Sequence, residues 1–79
     1  MEANKIIITG GAARIGAAIA KNLSGPGVKI VIHYNKSKKD AENLKKKLSK
    51  NGTKIYLVKG DLSKEIDLKK IIQFSKKKL

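Results

Sequence analysis

The sequence predicts an α/β fold in which strands and helices alternate, βαβαβα, over residues 1–79. Three observations predict it. Short runs rich in β-branched residues, at 5–9, 28–34 and 54–60, read as buried strands. Segments with apolar residues at helical spacing follow each of them, at 14–24, 37–52 and 61–79. Glycine turns punctuate the chain at Gly10-Gly11, Gly25-Pro26-Gly27 and Asn51-Gly52. Strands separated by helices imply parallel pairing through right-handed crossovers.

The first strand, KIIIT, is an isoleucine run. The first helix, RIGAAIAKNLS, is expected to place Ile15, Ala18, Ile19 and Leu23 on one face. Gly25-Pro26-Gly27 forbids its continuation. VKIVIHY is the second strand. In the second helix, Ser37 followed three residues later by Asp40 resembles a capping box. Glu42 lies near its first turn and Lys45, Lys46, Lys47 and Lys50 load its end, matching the helix dipole. Its buried face is expected to be Ala41, Leu44 and Leu48, and Asn51-Gly52 closes it. KIYLVKG is the third strand. The third helix is expected to be capped at Ser63, with Leu68, Ile71 and Ile72 inward.

Composition narrows the function. Seventy-nine residues allow one small domain at most, of marginal stability. With no cysteine there is no disulfide and no thiolate metal site, and a lone histidine builds no zinc site, so no metal is expected. No signal peptide and no membrane span is read from the sequence, and a cytoplasmic location is the expectation. The net charge of +13 raises the question of nucleic acid. The lysines are scattered rather than blocked, however, and no aromatic-basic interleaving is present, so nucleic acid is not the expected partner. His33 reads as a strand-end residue.

The glycine turn carries the chemistry. Gly10, Gly11 and Gly16 lie between a strand and a helix, where free N–H groups and the positive helix end hold a phosphate. A second strand ends some twenty residues on, which is the required context. A dinucleotide with an unmodified ribose needs a carboxylate there for both hydroxyls. The strand instead runs into HYNKS, with no acid before Asp40. A lysine and a hydroxyl attract a 2′-phosphate that a carboxylate would repel, which favours NADP(H) over NAD(H).

Residues 9–16, TGGAARIG, resemble the Thr-Gly-x-x-x-Gly-x-Gly fingerprint of the short-chain dehydrogenase/reductase family. Thr9, Gly10 and Gly16 match. Arg14 replaces the middle glycine and is the only arginine in the chain. An arginine in that slot resembles the pteridine-reductase branch, and HYNKS at 33–37 is similar to that branch. GDLS at 60–63 resembles the family's acidic turn after the third strand. The resemblance implies a partial Rossmann fold, a three-stranded parallel sheet in order 3-2-1, with residues 1–79 forming the N-terminal NADP-binding half of the domain. It implies that Gly10 and Gly16 shape the pyrophosphate loop, with Arg14 and Ile15 facing pyrophosphate and nicotinamide. Asn35, Lys36 and Ser37 would surround the 2′-phosphate, and Asp61 and Leu62 the adenine. A planar, bidentate cation suits phosphate oxygens better than lysine does.

The family's catalytic serine and Tyr-x-x-x-Lys pair are not found. Tyr34-x-x-x-Lys38 fits the letters but falls on a strand-to-helix junction. Without the strand that would flank the first one, that strand keeps an open edge. The chain is therefore expected to be a truncated or split product, contributing cofactor binding and pairing with a missing C-terminal half. Two other readings stand beside this one: a basic module for nucleic acid or an acidic partner, and a gene remnant without function.

Overall fold

A computed structural model describes residues 5–10 and 14–79, with the side chain of Arg14 outside that description. The element order is β1 (Lys5–Ile8), α1 (Arg14–Leu23), β2 (Lys29–Tyr34), α2 (Lys38–Ser49), β3 (Lys54–Lys59) and α3 (Glu65–Lys78). The strands form one parallel sheet in the order β1-β2-β3. This is the expected 3-2-1 arrangement of a partial Rossmann fold. In register, Ile8 lies beside Ile32 and Tyr34 beside Lys59, so β2 and β3 run past the end of β1.

The alternation of strand side chains divides the interior into two layers. Ile8, Ile30, Ile32 and Ile55 pack with Ala20 of α1 and with Leu44 and Leu48 of α2. Val31 and Val58 point to the other face, where Ile71 of α3 meets them. Helix α3 therefore covers the face opposite to α1 and α2. Ala41, Leu44 and Leu48 are buried, as their spacing on α2 predicts.

Helix α1 differs from expectation. Ile15 is 77% exposed, and Ile19, Leu23 and Ala18 are also exposed. Gly16 and Ala20 are the buried positions, with Ala17 packed at the rim. The sheet is met by the small residues of this helix, and its larger apolar residues form the outward face. A similar correction applies to α3. Ile71 and Ser75 are buried, whereas Leu68 and Ile72 remain exposed. The Ser75 hydroxyl is satisfied by donating to the Ile71 carbonyl at 2.8 Å.

The helix starts also depart from the sequence reading. Ser37 occupies the N-cap position of α2, but its side chain makes no capping bond; its carbonyl accepts from Ala41 N–H at 2.9 Å. No reciprocal capping box forms. The N-cap of α3 is Lys64, not Ser63, and it too lacks a side-chain cap. Ser63 is diverted to Asp61, whose carboxylate takes both its N–H and its hydroxyl.

The N-terminal edge of the sheet is closed by polar side chains. Thr53 is buried, and its hydroxyl accepts from Gly25 N–H at 2.8 Å. It donates to Gly25 O or to Asn51 Oδ1. This ties the turn after α1 to the turn after α2, leaving the opposite edge for the loops described next.

Candidate functional site

Because the strands are parallel, all three C-terminal ends emerge at one edge, the place where open α/β sheets bind ligands. Thr9-Gly10 follows β1, Asn35-Lys36-Ser37 follows β2, and Gly60-Asp61-Leu62 follows β3. Gly10 has φ +64°, a conformation that favours glycine, and a Cβ there would meet nothing within 4 Å. Its surroundings are open, as close approach of a ligand to the backbone requires.

Gly60 is constrained by packing. A Cβ at Gly60 would lie 2.8 Å from Ile71 Cδ1 and 3.3 Å from Cγ1. The atom met is the end of the buried Ile71 side chain, so a Cβ there requires that side chain to shift. Gly60→Ala is expected to cost about 1–3 kcal/mol of stability through overpacking, measured by urea unfolding followed by circular dichroism. An unchanged midpoint would contradict this packing. The glycine lets α3 close on the end of β3, and Gly60 N–H continues the ladder to Tyr34 O at 3.0 Å.

Asp61 is held on both sides. Its N–H donates to Asp67 Oδ2 of α3 at 2.9 Å, and its carboxylate accepts from Ser63 N–H at 2.9 Å and Ser63 Oγ at 2.7 Å. These bonds from Ser63, aided by the charges of Lys64 and Lys36, hold the Asp61 carboxyl below the usual carboxylate range. A depressed folded pKa contributes stability that is present above about pH 4 and is lost as pH falls through the folded value. Ser63→Ala is expected to move the Asp61 titration upward, read from its carboxyl carbon chemical shift. A titration unchanged by that substitution would assign the shift to the lysines instead.

Two cavities flank this turn. A polar cleft of about 340 Å³ gathers Asn35, Lys59, Gly60, Asp61, Lys64 and Asp67, with Lys70 at its rim. An apolar groove of about 400 Å³ lies between β1 and α3, with Ile7, Leu62, Leu68 and Ile72 among its walls. Asn35 and Asp61 thus share one cleft, whereas Leu62 lines the neighbouring groove. Lys36 and Ser37 are exposed, and the charge of Lys36 acts on Asp61 in the cleft. Ile15 is exposed and Gly16 buried at the start of α1. The role expected of Arg14 rests on a side chain that lies outside the described residues. Lys59, Lys64 and Lys70 line the cleft without any sequence signal, because one lysine among so many is not distinguished by its neighbours.

The expected open edge is present: β1 is an outer strand, and Ile7 beside the groove is 52% exposed. Tyr34 closes β2 and Lys38 opens α2, so the Tyr34-x-x-x-Lys38 letters do not share a helix face. Among the described residues no helix is long and apolar enough to cross a membrane, and no group of three His, Cys, Asp or Glu gathers to hold a metal ion.

The most unexpected residue is His33. It is 3% exposed, at the penultimate position of β2. Its Nδ1 accepts from Gly10 N–H at 3.2 Å, and its Nε2 lies 2.7 Å from Gly60 O. The signal available in the sequence was a polar ring directly after the aliphatic run Ile30-Val31-Ile32.

A parallel βαβαβα half-sheet with a glycine turn at its C-terminal edge defines a dinucleotide-binding type of domain. The chain belongs to the short-chain dehydrogenase family: the family's sequence profile, described as short chain dehydrogenase, matches residues 4–79. It is similar to the short-chain dehydrogenase/reductase homolog YusS of Bacillus subtilis, 32% identical over 71 residues, which cover 89% of this chain and 65% of that protein. A crystal structure of a short-chain dehydrogenase from Oenococcus oeni is similar with a TM-score of 0.80 and 37% identity, over 91% of this chain and 33% of that one. A structure of FolM alternative dihydrofolate reductase 1 from Brucella canis, complexed with NADP, gives a TM-score of 0.80 at 28% identity, over 92% and 29%. The chain therefore spans between 22% and 65% of the length of curated relatives that it matches, and about a third of the similar solved chains.

Proposed function

We propose that this chain is the N-terminal, NADP(H)-binding half of a short-chain reductase domain whose chemistry is carried by residues outside residues 1–79. The observation that carries this reading is the end of β2. It runs out at the ligand edge of the sheet into Asn35-Lys36-Ser37, exposed and without a carboxylate. A 2′-phosphate would meet a cation and a hydroxyl on that segment, which itself carries no acid.

Gly10 and Gly16 shape the turn for the pyrophosphate, with Arg14 and Ile15 at the start of α1. Asn35, Lys36 and Ser37 surround the 2′-phosphate, and Asp61 and Leu62 line the adenine side. The residues present fit the group: a glycine turn at positive φ after β1, and a polar cleft at the ends of β2 and β3 with cationic side chains around it. The bound cofactor supplies a hydride. The chain's own residues bind and orient it. The likeness to an NADP-complexed FolM supports the phosphate-bearing cofactor and a pteridine-reductase-like branch, with a carbonyl or pterin ring as the hydride acceptor of the whole protein.

The partner that fits this reading is the remaining part of the domain. The outer edge of β1 and the apolar groove beside α3 offer it a place to pack. The cofactor reading is tested by fluorescence titration of the chain with NADPH and NADH. Saturable binding that prefers NADPH and weakens in Arg14→Ala supports it. Equal affinity for both cofactors, or preference for NADH, overturns the assignment of the phosphate site.

A further inference from the structure

The turns that would hold the two ends of the dinucleotide follow β1 and β3, and these strands are not neighbours; β2 lies between them. Among the described residues no ladder bond joins the two turns. His33 spans the gap from the central strand, and among the described residues it is the one side chain bonded to both Gly10 and Gly60.

The chemistry of its partners fixes its proton. A backbone N–H only donates and a carbonyl only accepts. Nδ1, facing Gly10 N–H, must therefore carry the lone pair, and Nε2, facing Gly60 O, must carry the hydrogen. The ring is the neutral Nε2–H tautomer. No other side chain offers an acceptor and a donor at these two positions together. Asparagine places an acceptor at the Nδ1 position, and glutamine places a donor at the Nε2 position.

We propose that His33 is a positioning residue of the dinucleotide site, setting the separation of the Gly10 turn from the Gly60-Asp61 turn before cofactor arrives. The proposal rests on the cofactor reading above. A glycine at φ +64° has more freedom to lose on binding than any other residue. Holding its N–H in advance removes part of that ordering cost. The bond to Gly60 fixes the other wall at the point where Asp61 begins, and Asp67 of α3 fastens the next N–H.

The test compares NADPH binding by the full chain and by two variants. His33→Gln keeps the donor toward Gly60 and loses the acceptor toward Gly10; His33→Asn does the reverse. The expected result is about tenfold weaker binding in His33→Gln, the loss of one partly buried hydrogen bond, and recovery to within about threefold of the parent in His33→Asn. Equal loss in both folded variants, or no loss in His33→Gln, overturns the proposal while leaving the cofactor reading intact. Failure of the unmodified chain to bind NADPH overturns both. Should a variant not fold, nitrogen NMR of the unmodified chain decides. A scalar coupling between Gly10 N and His33 Nδ1, with the hydrogen on Nε2, supports the proposal. Absence of the coupling, or the opposite tautomer, overturns it.

Discussion

Lys36→Asp is expected to weaken NADPH binding about a hundredfold while changing NADH binding much less. The substitution removes a charge-assisted contact worth about 1.5–3 kcal/mol and puts a carboxylate where the 2′-phosphate would sit. Each 1.4 kcal/mol is about tenfold, so loss and repulsion together reach about two orders of magnitude. An unmodified ribose meets the new carboxylate as an acceptor for its hydroxyls, which is how NAD-binding domains of this architecture use that position. Parallel titrations with the two cofactors measure the ratio directly. If both affinities fell equally, Lys36 would be one more solvated lysine and the phosphate would have to be held elsewhere. Raising the salt concentration separates the cases further: scattered lysines lose their influence generally, whereas a specific contact keeps its discrimination.

Ile32→Ala is expected to lower the free energy of unfolding by about 2–5 kcal/mol. Ile32 is fully buried at the middle strand, between Ile8 on one side and Leu57 on the other. Its side chain belongs to the layer that α1 and α2 close, so the cavity left behind has packed walls. Domains of this size commonly have about 5–10 kcal/mol in total, and small ones fall at the low end. The variant is therefore expected to lose its cooperative urea transition or to show it at much lower denaturant. Ile7→Ala is the control. Ile7 is 52% exposed on the edge strand and is expected to cost under about 1 kcal/mol. Equal losses at the two positions would contradict the layered interior.

The element order and the parallel pairing were legible from the sequence, because strand and helix periods alternate cleanly and crossover handedness leaves few choices. The glycine turn was legible for a different reason: φ > 0 and close ligand approach admit few residues, so Gly10 announces itself. Other features were hidden. The inward face of α1 is the one with Gly16 and Ala20, whereas the apolar periodicity of Ile15, Ile19 and Leu23 pointed to another face. Ser63 reads as a cap, but Asp61 two residues earlier offers a charged acceptor at shorter range and takes its hydrogens. His33 was read as a strand end because its two partners, Gly10 and Gly60, are backbone groups 23 and 27 residues away, and backbone partners leave no mark in a sequence.

The two layers on either side of the sheet are unequal, and that inequality sets an order of opening. Among the described residues the hydrophobic cluster of α1 and α2 with the sheet has seven buried members, whereas that of α3 with the sheet has three. Regions with fewer buried apolar contacts open at lower free energy. Amide hydrogens of α3 are therefore expected to exchange with solvent earlier than those of α2, in a native-state exchange experiment on the full chain. Helix α3 also carries Asp67 and Ile71, which fasten Asp61 and pack against Gly60. Detachment of that helix would release one wall of the ligand edge without unfolding the sheet. A ligand that needs that wall binds only the closed form and so slows exchange across α3, turning its protection into a local gauge of occupancy.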